Sequence, residues 1–79
     1  MKSRFADKYI QVHRDAIGKN IRSLREKKGY SQYDLAGIMD IHRSTISKIE
    51  TGKFAITIDY LVKFAWYLEF DIKFIETNK

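Results

Sequence analysis

Two very short apolar patterns sit side by side in the middle of the chain. Leu35, Ala36 and Met39 form the first, and Ile46 and Ile49 the second. Both step at helical spacing, and only Asp40, Ile41 and His42 remain between the two helices that this spacing predicts, 32–39 and 43–50. Helices of about two turns are unstable alone, since nucleation costs more than so few backbone bonds return. They must pack on each other and on a longer element, which limits the chain to a compact bundle. Ser31-Gln32-Tyr33-Asp34 predicts the start of the first helix, with a cap serine and a carboxylate three residues on. Ala36 is small where the two helices must cross, Ile41 plugs the turn, and Gly52 ends the second helix.

The flanks supply the rest of the bundle. Across residues 5–28 two helical stripes run in parallel: Phe5, Tyr9, Val12 and Ala16, and Ile10, Ile17, Ile21 and Leu24. Gly18 lies between them, so one long helix and two shorter ones fit equally. Lys27, Lys28 and Gly29 end the segment with cations and then a terminating glycine. Thr57 caps a fourth helix, expected to turn Ile58, Leu61, Phe64, Ala65 and Leu68 inward. From Phe70 the pattern changes. Phe70, Ile72 and Phe74 alternate with Asp71 and Lys73, and the segment is rich in β-branched and aromatic residues. A helix through Leu68, Ile72 and Ile75 also fits the spacing, but helix formers are scarce there and a strand is expected. The reading is a mainly α protein, a compact helical bundle with a short C-terminal β-strand. Residues 1–16 form a helical extension, 17–69 the domain, and 70–79 a dimerisation strand.

Composition narrows the chemistry. The chain has 79 residues and no cysteine, so disulfides and thiolate zinc sites are out. His13 and His42 do not form an i, i+4 pair, and no metal is expected. A single small domain leaves little room for a lined catalytic cleft, so neither an enzyme, a cofactor nor a small-molecule effector is expected. There is no apolar run of the ~20 residues that span a membrane and no apolar leader, and a cytoplasmic protein is expected. The net charge is +5, and residues 1–30 alone carry nine basic and three acidic groups. Such a balance favours a polyanionic partner.

The central segment SQYDLAGIMDIHRSTISKIETGK has the layout of a helix-turn-helix. With Ile46 and Ile49 anchoring the second helix from behind, Arg43, Ser44, Ser47 and Lys48 are left on its other side. A helix of this diameter fits the major groove of B-DNA, and these side chains carry donors that read base edges.

The stretch IGKNIRSLREKKGYSQYDLA followed by TISKIETGK resembles the Cro/cI-type (XRE) helix-turn-helix family, over residues 17–68. The S-Q-x-x-L-A and I-S-x-I-E-x-G boxes at this separation carry the resemblance. It implies a lambda-repressor-like bundle of about five helices that binds operator DNA as a homodimer. By matching positions, Arg43, Ser44 and Lys48 reach base edges. Gln32, His42, Thr51 and Lys53 contact the DNA backbone. Arg25 and Glu50 form an ion pair tying the first helix to the third. Three positions depart from the family pattern. Asp40 replaces the turn glycine, Ile56 a proline before the fourth helix, and Glu69 a glycine after it. The C-terminal run LVKFAWYLEFDIKFIE is similar to the end of HipB-type antitoxins, whose last strand pairs across a dimer. This implies an interface of Trp66, Tyr67, Phe70, Ile72 and Phe74, with residues 70–76 pairing antiparallel to their own copy.

Three functions follow from this reading: a sequence-specific transcriptional repressor on a near-palindromic operator, an antitoxin that also binds a toxin protein, or a protein-interaction module that does not read DNA. The basic second helix argues against the third. Tyr60, Trp66 and Tyr67 could stack single-stranded bases, but their helical spacing favours packing. The expected protein is cytoplasmic, and nucleoid-associated when bound.

Overall fold

The computed structural model describes residues 4–78. It contains α1 (Arg4–Lys27), α2 (Gln32–Met39), α3 (Arg43–Glu50) and α4 (Ile58–Leu68). The first segment is a single helix, with no break at Gly18. At 24 residues it is about 36 Å long, and it sets the 40 Å long dimension of the molecule.

Gly18 has another role. It is buried where α1 crosses the C-terminal end of α3, and a Cβ there would stand only 2.8 Å from the Glu50 carbonyl oxygen and closer still to that of Ile49. The missing side chain lets the two backbones touch.

All four helices end in the same way. A residue of positive φ follows the helix or its last turn: Gly29 (80°), Asp40 (55°), Gly52 (74°) and Glu69 (59°). The next N–H reaches back five residues: Tyr30 to Arg25, Ile41 to Ala36, Lys53 to Lys48 and Phe70 to Ala65. This satisfies carbonyls that the helix end would leave unpaired. Asp40 adopts the left-handed turn in place of glycine, as expected. Glu69 does so without the short local-bonding side chain that makes the conformation easier for Asp and Asn. Its carboxylate pairs with Lys28 at the end of α1, which holds it below the usual carboxylate range.

The helix starts are those expected. Ser31 accepts from the Asp34 N–H at 2.9 Å while the Asp34 carboxylate accepts from the Ser31 N–H at 3.0 Å. Both contacts hold Asp34 below its ordinary pKa. Thr57 caps α4 through the Tyr60 N–H.

The core is Ile21 of α1, Leu35, Ala36 and Met39 of α2, Ile46 and Ile49 of α3, and Phe64 and Leu68 of α4. Leu35, Ile46 and Phe64 have no exposed surface, so the short helices bury their stripes on one another as the pattern requires. Ile41 packs against this core from the turn.

Three expectations need correction. Ile58 is exposed rather than inward: Tyr60 and Leu61 of the same turn pack on the core, while Ile58 falls on the outer face, where its four-residue steps to Val62 and Trp66 make an outward apolar row. Residues 70–78 form neither strand nor fifth helix. A strand needs a ladder partner, and the bundle offers no open sheet edge to supply one. Phe70, placed by its alternation with Ile72 and Phe74 at a dimer interface, is half-buried against the chain's own core, while Phe74 is fully exposed.

Candidate nucleic-acid interface

The α2–α3 unit is fixed from behind by a buried ion pair. Arg25 Nε donates to Glu50 Oε2 at 2.7 Å and Nη2 to Oε1 at 3.0 Å, a bidentate contact. The third guanidinium nitrogen, Nη1, donates to the Tyr30 carbonyl at 2.8 Å. Arg25 and Glu50 are 7% and 8% exposed, so each charge has given up most of its water and depends on the other. The contact raises the Arg25 pKa above its ordinary value, first through the hydrogen bond to Glu50 and despite burial. One pair thus joins the end of α1, the loop before α2 and the end of α3.

Gln32 belongs to the same network. Its Nε2 donates to Glu50 Oε1 at 3.0 Å, and the residue is half-buried. The resemblance placed Gln32 on the DNA backbone but did not reveal this second bond. It orients the first side chain of α2 from the last residue of α3, and leaves the amide oxygen and the second N–H outside it.

The outer side of α3 is open. At about 100° per residue, Ser44 and Lys48 lie one above the other opposite Ile46, and both are exposed. Ser47 is half-buried on the flank, and Arg43 is exposed in the first turn. His42 is the N-cap of α3, exposed and with no side-chain capping bond. Thr51 closes the other end. Its hydroxyl donates to the Ser47 carbonyl at 2.8 Å, and its N–H donates to the same carbonyl at 3.1 Å. Lys53 is exposed just beyond, past the left-handed Gly52. Of the eight residues expected at the DNA, Ser44 and Lys48 lie on the outward side of α3, Arg43 in its first turn, Ser47 on its flank, His42, Thr51 and Lys53 at its two ends, and Gln32 at the start of α2.

Sequence reasoning missed one support for this surface. Gln11 Nε2 donates to the Gly52 carbonyl at 2.9 Å and to Asp15 Oδ1 at 2.9 Å. The N-terminal half of α1 thereby braces the loop that carries Thr51 and Lys53. The signal was a polar pair at i, i+4 on the α1 face that also carries Gly18, and that face was not identified from the stripes alone.

The profile of the helix-turn-helix family matches residues 21–75, well over half the chain. The protein belongs to the helix-turn-helix family, of the Cro/cI (XRE) type. Among solved structures it is similar to the restriction-modification controller protein C.AhdI from Aeromonas hydrophila. The TM-score is 0.70 and the identity 28%, over 76% of this chain and 91% of that one. It is also similar to HTH-type transcriptional regulatory proteins of Pyrococcus horikoshii and Pyrococcus furiosus, 35% identical over 46 residues, or 58% of this chain. The chain spans 15% of the length of those relatives. Among the described residues, no helix is long and apolar enough to cross a membrane.

Proposed function

We propose that this protein is a sequence-specific transcriptional regulator, a repressor that binds a near-palindromic operator as a homodimer with α3 in the major groove. The observation that carries this reading is the division of α3. Ile46, Ile49 and Glu50 are locked inward, while Arg43, Ser44 and Lys48 are exposed on a helix held from behind by the Arg25–Glu50 pair. In this reading Arg43, Ser44, Ser47 and Lys48 meet base edges, and Gln32, His42, Thr51 and Lys53 meet phosphates. The likeness to a restriction-modification controller protein and to transcriptional regulators supports the regulatory role. No catalytic step is assigned.

The homodimer in this proposal forms through the outward face of α4 and the tail. Trp66 is 79% exposed, in line with Val62 and Ile58, and Ile72, Phe74 and Ile75 are exposed nearby in sequence. So much exposed apolar surface on a small chain marks an interface. A two-fold axis through it would hold two copies of α3 about 34 Å apart.

Titration of a duplex with the protein at several salt concentrations tests the reading. Each neutralised phosphate adds about −0.9 to the slope of log K against log salt. A steep negative slope is expected, and binding that ignores salt would contradict the proposal.

A further inference from the structure

Gln11 lies in the first half of α1, ahead of residues 21–75 that match the family, and its side-chain NH2 is fully committed. The two Nε2 contacts, to Asp15 Oδ1 and to the Gly52 carbonyl, are both 2.9 Å and use both hydrogens of the amide. The contact to the Asp15 carboxylate is charge-assisted and holds the amide in one orientation. Asp15 stands one turn on in the same helix, so α1 supplies both the donor and the group that aims it. Gly52 is shaped for this contact. It is buried and its φ is 74°. A Cβ there would stand 3.1 Å from Gln11 Nε2 and would overlap Asp15 Oδ1. The bare Cα lets the pair close on the loop.

The N–H groups of that loop all bond back to α3: Thr51 to Ser47, Gly52 to Ile49 and Lys53 to Lys48. They fix the loop to the helix that it ends, and the last turn of a helix opens more readily than its middle. The Gln11 bond ties the loop to a second element, at the residue between Thr51 and Lys53. We propose that Gln11, aimed by Asp15, is a positioning residue for phosphate contact: through Gly52 it holds Thr51 and Lys53 where they meet the DNA backbone. This rests on the reading above that sets Thr51 and Lys53 at phosphates. It gives the first half of α1 a part in binding without a contact of its own to DNA. A loop already held in its bound arrangement spares the cost of ordering it on binding. Phosphate contacts carry no base information. The brace therefore governs how tightly every duplex is held and not which duplex is chosen.

Gln11→Ala tests this. Gln11 is exposed and alanine is the better helix former, so the variant should fold, and circular dichroism verifies that it does. Without DNA, amide exchange at Gly52 and Lys53 should speed about 3- to 10-fold, the worth of one hydrogen bond. Exchange at Ile46 in the core should stay as it was. With duplexes, affinity should fall about 3- to 10-fold for every sequence alike, and the base preference should not move. A coupling measurement separates positioning from mere stability. Lys53→Ala should cost the native protein severalfold in affinity but under ~2-fold in the Gln11→Ala background, because the loop has already lost its place. Lys48→Ala, on α3 itself, should cost the same in both. Unchanged exchange at Gly52 and Lys53, unchanged duplex affinity, or a full Lys53→Ala cost in both backgrounds would overturn this inference alone, provided the native protein binds. A native protein that binds no duplex at low salt would overturn the DNA reading and this inference with it.

Discussion

The centre and the two ends of this chain use apolar residues in opposite ways. In the centre, 31–52, Leu35, Ala36, Met39, Ile46 and Ile49 are buried in the core, with only Tyr33 and Ile38 left exposed, and the polar ones that turn inward are bonded: Gln32 and Glu50 to each other, Glu50 to Arg25. At the ends, Phe5, Val12, Trp66 and Phe74 are all more than half exposed. The same residue types therefore mean fold in one region and surface in the other. What separates them is whether a second element is close enough in the bundle to cover the stripe. α2 and α3 are covered on their inner faces by α1, α4 and each other. The first half of α1 meets the bundle through Gln11 and Asp15 at the Gly52 loop, but Phe5 and Val12, like the outer row of α4, are left exposed.

This contrast predicts a graded response to substitution. The largest effect belongs to Glu50→Ala, which strands the Arg25 guanidinium in a site only 7% exposed. It should cost about 3–5 kcal/mol of stability, read as a large drop in the denaturation midpoint. An unchanged midpoint would mean the centre does not depend on its ion pair. Gly18→Ala comes next. In an exposed helix this change would stabilise, but here the Cβ meets the end of α3, and a loss of about 1–3 kcal/mol is expected. A gain in stability would show that the α1–α3 crossing yields easily. Ser31→Ala removes half of a capping box and should cost about 1 kcal/mol, seen in thermal unfolding. Smallest of all is Trp66→Ser. It should move stability by no more than about 0.5 kcal/mol, yet lower self-association in sedimentation. Should it unfold the protein, the outer row of α4 would be part of the core after all.

How much was legible in the sequence follows the same division. The capping residues, the inward faces of α2 and α3 and the stops at Gly29 and Gly52 could all be read, because each is set by local chemistry. The Arg25–Glu50 pair came from family resemblance, and the geometry places both partners as that resemblance implied. Gly18 left one helix and two equally open, since a glycine needed for close approach looks the same in sequence as one that interrupts a helix. Glu69 stands where the family has glycine, but its own side chain gave no sign of a left-handed backbone, because the conformation is set by Phe70 turning back to the core and not by the side chain. Residues 70–76 read as a strand because alternation records which residue types sit side by side, and says nothing about whether a ladder partner exists. Ile58 was read inward because its three-residue step to Leu61 fits the inner stripe, although its four-residue step to Val62 fits the outer row equally well.

The central claim is that α3 reads DNA sequence. The direct test is to select preferred duplexes from a random pool with the native protein and then measure base preferences for Arg43→Ala and Lys48→Ala. Each variant should lose about 1–3 kcal/mol of discrimination at its own base pair and little elsewhere. Gln32→Ala, measured in parallel, should weaken all duplexes alike. If both α3 variants keep the native preference at every position, α3 is not the reading helix and the account fails.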